Sequence, residues 1–155
     1  MLRILFPTFP GGRAGAALLL LRVFVGVAFI FHGYGKVVDI PAFAAEFEMS
    51  LPVAAAAAYT QFIGGLLLIF GALTPLACLA IAATMAVAAF ELIARGEPFV
   101  NPDGHSWEGA AFYLVAASAV TLLGPGRFSV DALVFDRKAV VADGLRHGER
   151  RLSSV

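Results

Sequence analysis

Four titratable side chains at the ends of apolar runs, with a tryptophan beside one of them, have the residue types needed to move protons. His32 and Lys36 end the first run, Glu91 ends the third, and Trp107 and Glu108 open the fourth. An imidazole, an ammonium and two carboxylates in a partly dry setting shift each other's protonation. Such a cluster could handle protons at a quinone ring, whose reduction takes up electrons and protons. In the alternative interpretation, Lys36 and Glu108 pair at the membrane interface and Trp107 is an aromatic-belt anchor.

Arg22 is a second candidate, because it lies about two turns inside the first run. A central arginine costs about 2.5–3.5 kcal/mol on insertion scales, so it must face the other helices, reach toward water or pair. Its candidate partners are Gln61, Ser118, Thr121 and, if the C-terminal segment folds back, Asp131. Arg22 either ties the helices or the tail together or binds an anionic or quinone-like ligand.

Several other kinds of site are excluded or disfavoured. Cys78 is the only cysteine, which excludes an internal disulfide, a CxxC pair and a structural zinc site. His32 and His105 could share a face, but no metal-ligand spacing accompanies them, and we predict no metal site. Basic and acidic residues number 11 each, so nothing indicates a nucleic-acid partner.

The elements that must position these residues are membrane helices. The 155 residues are 60% hydrophobic and 14% charged, whereas a soluble domain carries about 25% charged residues. This composition disfavours a soluble enzyme and excludes a disordered chain. Spans of near-membrane length cover about residues 14–35, 53–73, 76–93 and 107–123. We therefore predict an all-α integral membrane protein, built as an antiparallel four-helix bundle within residues 14–135.

Charge placement predicts the topology of this bundle. Lys and Arg are concentrated in residues 1–13 and in the C-terminal tail, and residues 136–155 of this tail are polar and basic. Acidic residues are concentrated in the first and third loops. By the positive-inside rule both termini are cytoplasmic. The apolar residues of Ile40–Leu51 repeat at helical spacing, which predicts a short interfacial helix in the first outer loop, with an ordered loop as the alternative. Residues 128–140 show a similar pattern on the inner side.

Small residues predict where the helices approach each other. Gly26 and Gly33 lie on the same stripe of the first span as Arg22 and Lys36, and Gly64 and Gly65 lie in the second span. Helices in lipid associate through such small residues.

Three segments of the chain resemble the DoxX family of small bacterial membrane proteins. They are the first helix with Arg22, Gly26 and the sequence HGYGK at 32–36, the second helix at 62–74, and LGPGRFSVD at 123–131. The residues that match the family pattern one by one are Arg22, His32, Lys36, Arg127 and Asp131. Gln61 stands where many members have Glu, which weakens a proton-transfer role at that position.

The resemblance implies a multi-pass protein of the bacterial inner membrane, linked to thiosulfate:quinone oxidoreductase or oxidative-stress systems. We expect a membrane subunit of a quinone-linked redox system that binds a quinone-like or lipid ligand between its helices. The predicted ligand residues are Arg22, His32, Lys36, Gln61, Glu91, Trp107 and Glu108. A non-enzymatic scaffold and a small-molecule carrier are the alternatives, and catalysis by the chain itself is left open. The sequence identifies no cofactor, although the resemblance allows a quinone. Expected partners are the bilayer and a soluble or membrane redox protein, and homo-oligomerisation is left open.

Overall fold

The computed structural model describes residues 9–102 and 104–135, and every regular element in these ranges is an α-helix. The all-α prediction is therefore confirmed for this part of the chain. The predicted tail at 136–155 lies outside the described residues. The five longer helices are α1 (Gly12–Val38), α2 (Ile40–Glu46), α3 (Leu51–Phe70), α4 (Thr74–Ala94) and α5 (Glu108–Leu123), and residues 130–135 are also helical.

Three of these helices, α1, α3 and α4, are long and apolar enough to cross a membrane. The fourth apolar helix, α5, has 16 residues. At 1.5 Å per residue it is about 24 Å long, somewhat less than the hydrocarbon core of about 30 Å. Large apolar side chains are exposed along all four helices, including Phe31, Phe70, Phe90 and Leu122. A bilayer would cover these surfaces.

The helix ends follow local backbone chemistry. Asp39 caps α2 by accepting a hydrogen bond from the Ala42 N–H at 3.0 Å. Gly71 ends α3 in the left-handed conformation, with φ of 66°, which a glycine adopts without steric cost. The predicted helix at Ile40–Leu51 is shorter than expected, because Glu48 takes a φ of 54° and breaks it. Leu51 instead begins α3 and is exposed, so its predicted place on the apolar face of the short helix was wrong.

Close contact between α1 and α3 is the main packing feature of the molecule. A Cβ built at Gly26 would lie 2.7 Å from the Gly65 carbonyl oxygen, and one at Gly33 would lie 2.5 Å from the Phe62 nitrogen. The backbones are therefore too close for any larger residue. Because later residues of α1 meet earlier residues of α3, the two helices are antiparallel. Helix α4 packs against α3 and α5, whereas α1 and α5 touch only slightly.

Two separate apolar clusters stabilise this arrangement. The larger lies among α1, α3, α4 and α5 and includes Phe29, Leu68 and Ile81. The smaller joins α2 to the start of α3, with Phe43 and Ala54 buried at its centre. Helix α2 is therefore held by its own small cluster, at the end of the molecule where α1 finishes.

A polar pair in an apolar cleft

A cleft of about 460 Å³ lies between α3 and α4, with α2 and the last turn of α1 along its edge. Its walls are mostly apolar and include Phe43, Phe47 and several alanines. The polar side chains that line it are Lys36, Thr60, Gln61, Thr84 and Glu91. A concave apolar surface with a few polar groups is the usual form of a small-molecule site.

Lys36 and Gln61 form the polar centre of the cleft. The Lys36 Nζ donates a hydrogen bond to Gln61 Oε1 at 2.9 Å and lies 4.7 Å from the centre of the Phe43 ring. Lysines near helix ends usually extend their ammonium toward water. Here the side chain leans back along α1 toward a glutamine that is only 3% exposed. The structure thus places a half-buried cation beside a buried amide in the wall of the cleft.

Glu91 lies at the opposite end of the cleft. Gly64 of α3 packs against Ile81 of α4. Because the two helices are antiparallel, Gln61, three residues before Gly64, lies at the same height as Thr84, three residues after Ile81. Glu91 is seven residues beyond Thr84, about 10 Å farther along α4. The Thr84 hydroxyl donates to the Ile81 carbonyl at 2.8 Å, so in the cleft it can act only as an acceptor.

The cleft opens on the outer surface of the helices. Val53 of α3 and Val87 of α4 both line it and are more than half exposed. A lipid-soluble molecule could therefore enter sideways from the surrounding apolar phase.

The other residues predicted near this end lie outside the cleft. His32 is exposed, and its ring makes an edge contact with Tyr113 of α5 at 5.7 Å. Trp107 packs on Phe99 with ring centres 4.5 Å apart. Glu108 is exposed, and its backbone N–H donates to the Phe99 carbonyl at 3.1 Å. Lys36, Gln61 and Glu91 thus line one cleft, whereas His32, Trp107 and Glu108 do not line it.

Arg22 lies 14 residues before Lys36 on α1, about 21 Å away along the helix, and is fully buried. Its Nη2 donates to the carbonyl of Phe128, and its Nη1 lies against Gly71. Two of its candidate partners are engaged elsewhere, since the Ser118 and Thr121 hydroxyls each donate to a carbonyl of their own helix, at 2.7 and 2.9 Å. Gln61 likewise bonds to Lys36, so Arg22 contacts the C-terminal segment instead.

Asp131 fixes this segment to the turn between α3 and α4. Its two carboxylate oxygens accept the backbone N–H groups of Leu73 and Thr74, each at 2.8 Å, and its own N–H donates to the Gly71 carbonyl at 2.9 Å. A carboxylate at a helix N-terminus also interacts favourably with the helix dipole. Nearby, the Arg127 N–H donates to the Pro10 carbonyl at 2.9 Å. These contacts support the interpretation of Arg22 as a structural tie.

Residues 17–93 match the family model DoxX. This chain carries a DoxX domain. Together with the three apolar helices, the match identifies an integral membrane protein and confirms the resemblance. The matched range contains Arg22, Lys36, Gln61 and Glu91, whereas Arg127 and Asp131 lie beyond it. A search of the curated proteins found no match, and neither did a search of the solved structures.

Sequence reasoning about this DoxX domain missed the pairing of Lys36 with Gln61 and the role of Phe43. A signal for the pair was present, because Gln61 is the strongest polar interruption of the second apolar run and lies on the same helix face as Gly64 and Gly65. The Phe43 contact required knowledge of how α2 folds over the end of α1.

Proposed function

We propose that this DoxX protein is a membrane subunit of a quinone-linked redox or oxidative-stress system and binds a quinone-like or lipid ligand in the cleft between α3 and α4. The observation that carries the proposal is the Lys36–Gln61 hydrogen bond inside an apolar cleft that opens sideways. Ionisable groups within a membrane bundle are costly and therefore point to function.

The donor chemistry of the cleft fits a ligand with an acceptor oxygen. The ammonium of Lys36 has three N–H donors, of which one goes to Gln61, and the Gln61 amide supplies two more. A quinone carbonyl can accept from both groups while its ring and tail contact the apolar walls. When bound, a quinone supplies reversible two-electron, two-proton chemistry, with electrons exchanged with a redox partner protein. Lys36 and Gln61 orient the ring, and the apolar walls keep bulk water from it.

The proposal includes the topology expected from the charge distribution. Helices α1, α3, α4 and α5 are the four spans, both termini are cytoplasmic, and the membrane is the bacterial inner membrane. In this orientation the cleft and α2 lie toward the outer face, while Arg22 and Asp131 lie toward the cytoplasm. Cysteine-accessibility labelling of single-cysteine variants at exposed loop positions tests this orientation.

A melting assay tests ligand binding. A quinone present at about 100 times its Kd stabilises a protein by about 2.7 kcal/mol, which corresponds to a rise in melting temperature of about 5–10 °C. We expect this rise when decylubiquinone, a short-chain quinone, is added to the purified protein in detergent, and we expect Lys36→Met and Gln61→Leu to reduce it. Arg13→Met, which removes an exposed cation at the other end of α1, is the matched control. A folded wild-type protein with no quinone-dependent rise, and with no quinone in its lipid extract, contradicts the proposal.

A further inference from the structure

We propose that Glu91 makes the cleft selective for uncharged ligands by excluding anionic amphiphiles from the Lys36–Gln61 pair. This inference rests on the proposed function, because it concerns the class of ligand that the same cleft accepts. It assigns to Glu91 a role in specificity rather than in direct contact with a quinone ring.

A lone ammonium in a cleft open to lipid would not by itself select a neutral ligand. Fatty acids and anionic lipid head groups carry acceptor oxygens as well as a negative charge, and a cation in an apolar setting attracts them more strongly than a neutral carbonyl. Anionic lipids are ordinary components of membranes. A cleft that used Lys36 alone would therefore be occupied by them.

Glu91 has the position required to oppose these competitors. It lines the same cleft as Lys36 and is half-buried. It does not neutralise Lys36 by contact, because within the described residues the only ion pair at 4 Å or less joins His105 to Glu46. The Lys36 ammonium instead bonds to neutral Gln61. The carboxylate of Glu91 therefore has no ion-pair partner within 4 Å among the described residues.

The formal charges of the cleft lining then cancel, with one cation and one carboxylate among its side chains. The carboxylate that acts electrostatically on Lys36 itself is that of Glu46, on α2. It is more exposed than Glu91 and lies beside His105, so solvent and a partner reduce its influence on the cleft. An anion bound at Lys36 meets the repulsion of both carboxylates, whereas an uncharged ligand keeps the hydrogen bonds of Lys36 and Gln61 without that cost.

The repulsion is large enough to decide between ligand classes. Two unit charges about 10 Å apart in a partly buried site interact strongly enough to change an equilibrium constant by about tenfold. Specificity of this kind depends on a repulsive element against the wrong ligand as much as on attraction toward the right one.

Competition between matched amphiphiles tests this role. Decylubiquinone binding to the purified protein is measured by its effect on melting temperature, and oleate or oleamide is added as competitor at a pH where oleate is ionised. These two competitors share a chain and differ in the charge of the head group. We expect Glu91→Gln to lower the oleate concentration needed for half-displacement by about tenfold and to leave the oleamide concentration unchanged. Glu97→Gln, which changes a carboxylate just beyond the end of α4 that does not line the cleft, is the control and is expected to match wild type.

The outcomes separate the two proposals. If wild-type protein binds no decylubiquinone, the proposed function fails. If wild-type protein binds decylubiquinone but oleate competes equally well with wild type and Glu91→Gln, the role of Glu91 is overturned. The role of Glu91 is also overturned if Glu91→Gln strengthens competition by oleate and by oleamide equally, because a change in the shape of the cleft, rather than in its charge, then explains the effect.

Discussion

Alanine substitution at two glycines of one helix turn tests how closely α1 and α3 must approach. Gly33 is buried, and a Cβ there would lie 2.5 Å from the nitrogen and 2.8 Å from the Cα of Phe62. Gly35 lies two residues later on α1, is exposed, and has no atom within 4 Å of the corresponding position. The two variants gain the same methyl group and the same helix propensity, so they differ only in contact with α3.

The magnitude follows from this difference. The obstructing atoms at Gly33 are backbone, so α1 must move away from α3 by about 0.9 Å to reach ordinary van der Waals contact. Overpacking of this kind costs about 1–3 kcal/mol. The higher helix propensity of alanine raises the free energy of unfolding by up to about 1 kcal/mol in both variants. We therefore expect Gly33→Ala to have a free energy of unfolding about 1–3 kcal/mol below that of Gly35→Ala.

Reversible unfolding in mixed micelles by titration with a denaturing detergent measures this difference. Because the displaced α1 carries Lys36, Gly33→Ala is also expected to reduce the quinone-dependent rise in melting temperature, whereas Gly35→Ala is not. Equal unfolding free energies for the two variants would refute the close α1–α3 contact on which the cleft geometry depends.

Two further substitutions test the end of the molecule that contains Arg22 and Asp131. Asp131→Ala removes the acceptor of the Leu73 and Thr74 N–H groups and should lower the free energy of unfolding by about 1–3 kcal/mol. Asp39→Ala, the control, removes a single exposed cap and should lower it by less than about 1 kcal/mol. Equal effects of the two substitutions in a detergent titration would contradict the capping role of Asp131. Arg22→Met removes the hydrogen bond to the C-terminal segment, so we expect trypsin to cleave within residues 124–135 faster than in wild type. Mass spectrometry of the fragments measures the cleavage rate. An unchanged rate in a folded variant would show that Arg22 does not hold the segment.

Apolar periodicity predicted the helical elements well because burial in lipid depends on composition over many residues. The four apolar runs overlap α1, α3, α4 and α5, and the short amphipathic segment contains α2. The early end of α2 was not predictable, because Glu48 adopts a left-handed conformation that is uncommon for a residue other than glycine. Local sequence therefore indicated where helices form but not every point where one breaks.

The site was less predictable, because spacing along one helix shows which residues share a face but not which neighbour that face meets. Lys36 shares its stripe with Gly33, and the close approach of Gly33 to Phe62 directs that stripe toward α3. Lys36 consequently reaches Gln61 rather than Glu108. The partner of Arg22 was harder still, since a backbone carbonyl such as that of Phe128 has no signature in the sequence.

Photoaffinity labelling with a photoreactive quinone tests the central claim most directly, because it reports where the ligand lies. We predict that mass spectrometry will locate the label on cleft-lining segments of α3 and α4, that excess decylubiquinone will prevent the labelling, and that Lys36→Met will reduce it. Labelling spread over the exposed faces of α1 and α5, unaffected by competitor or by Lys36→Met, would contradict a quinone site at Lys36 and Gln61.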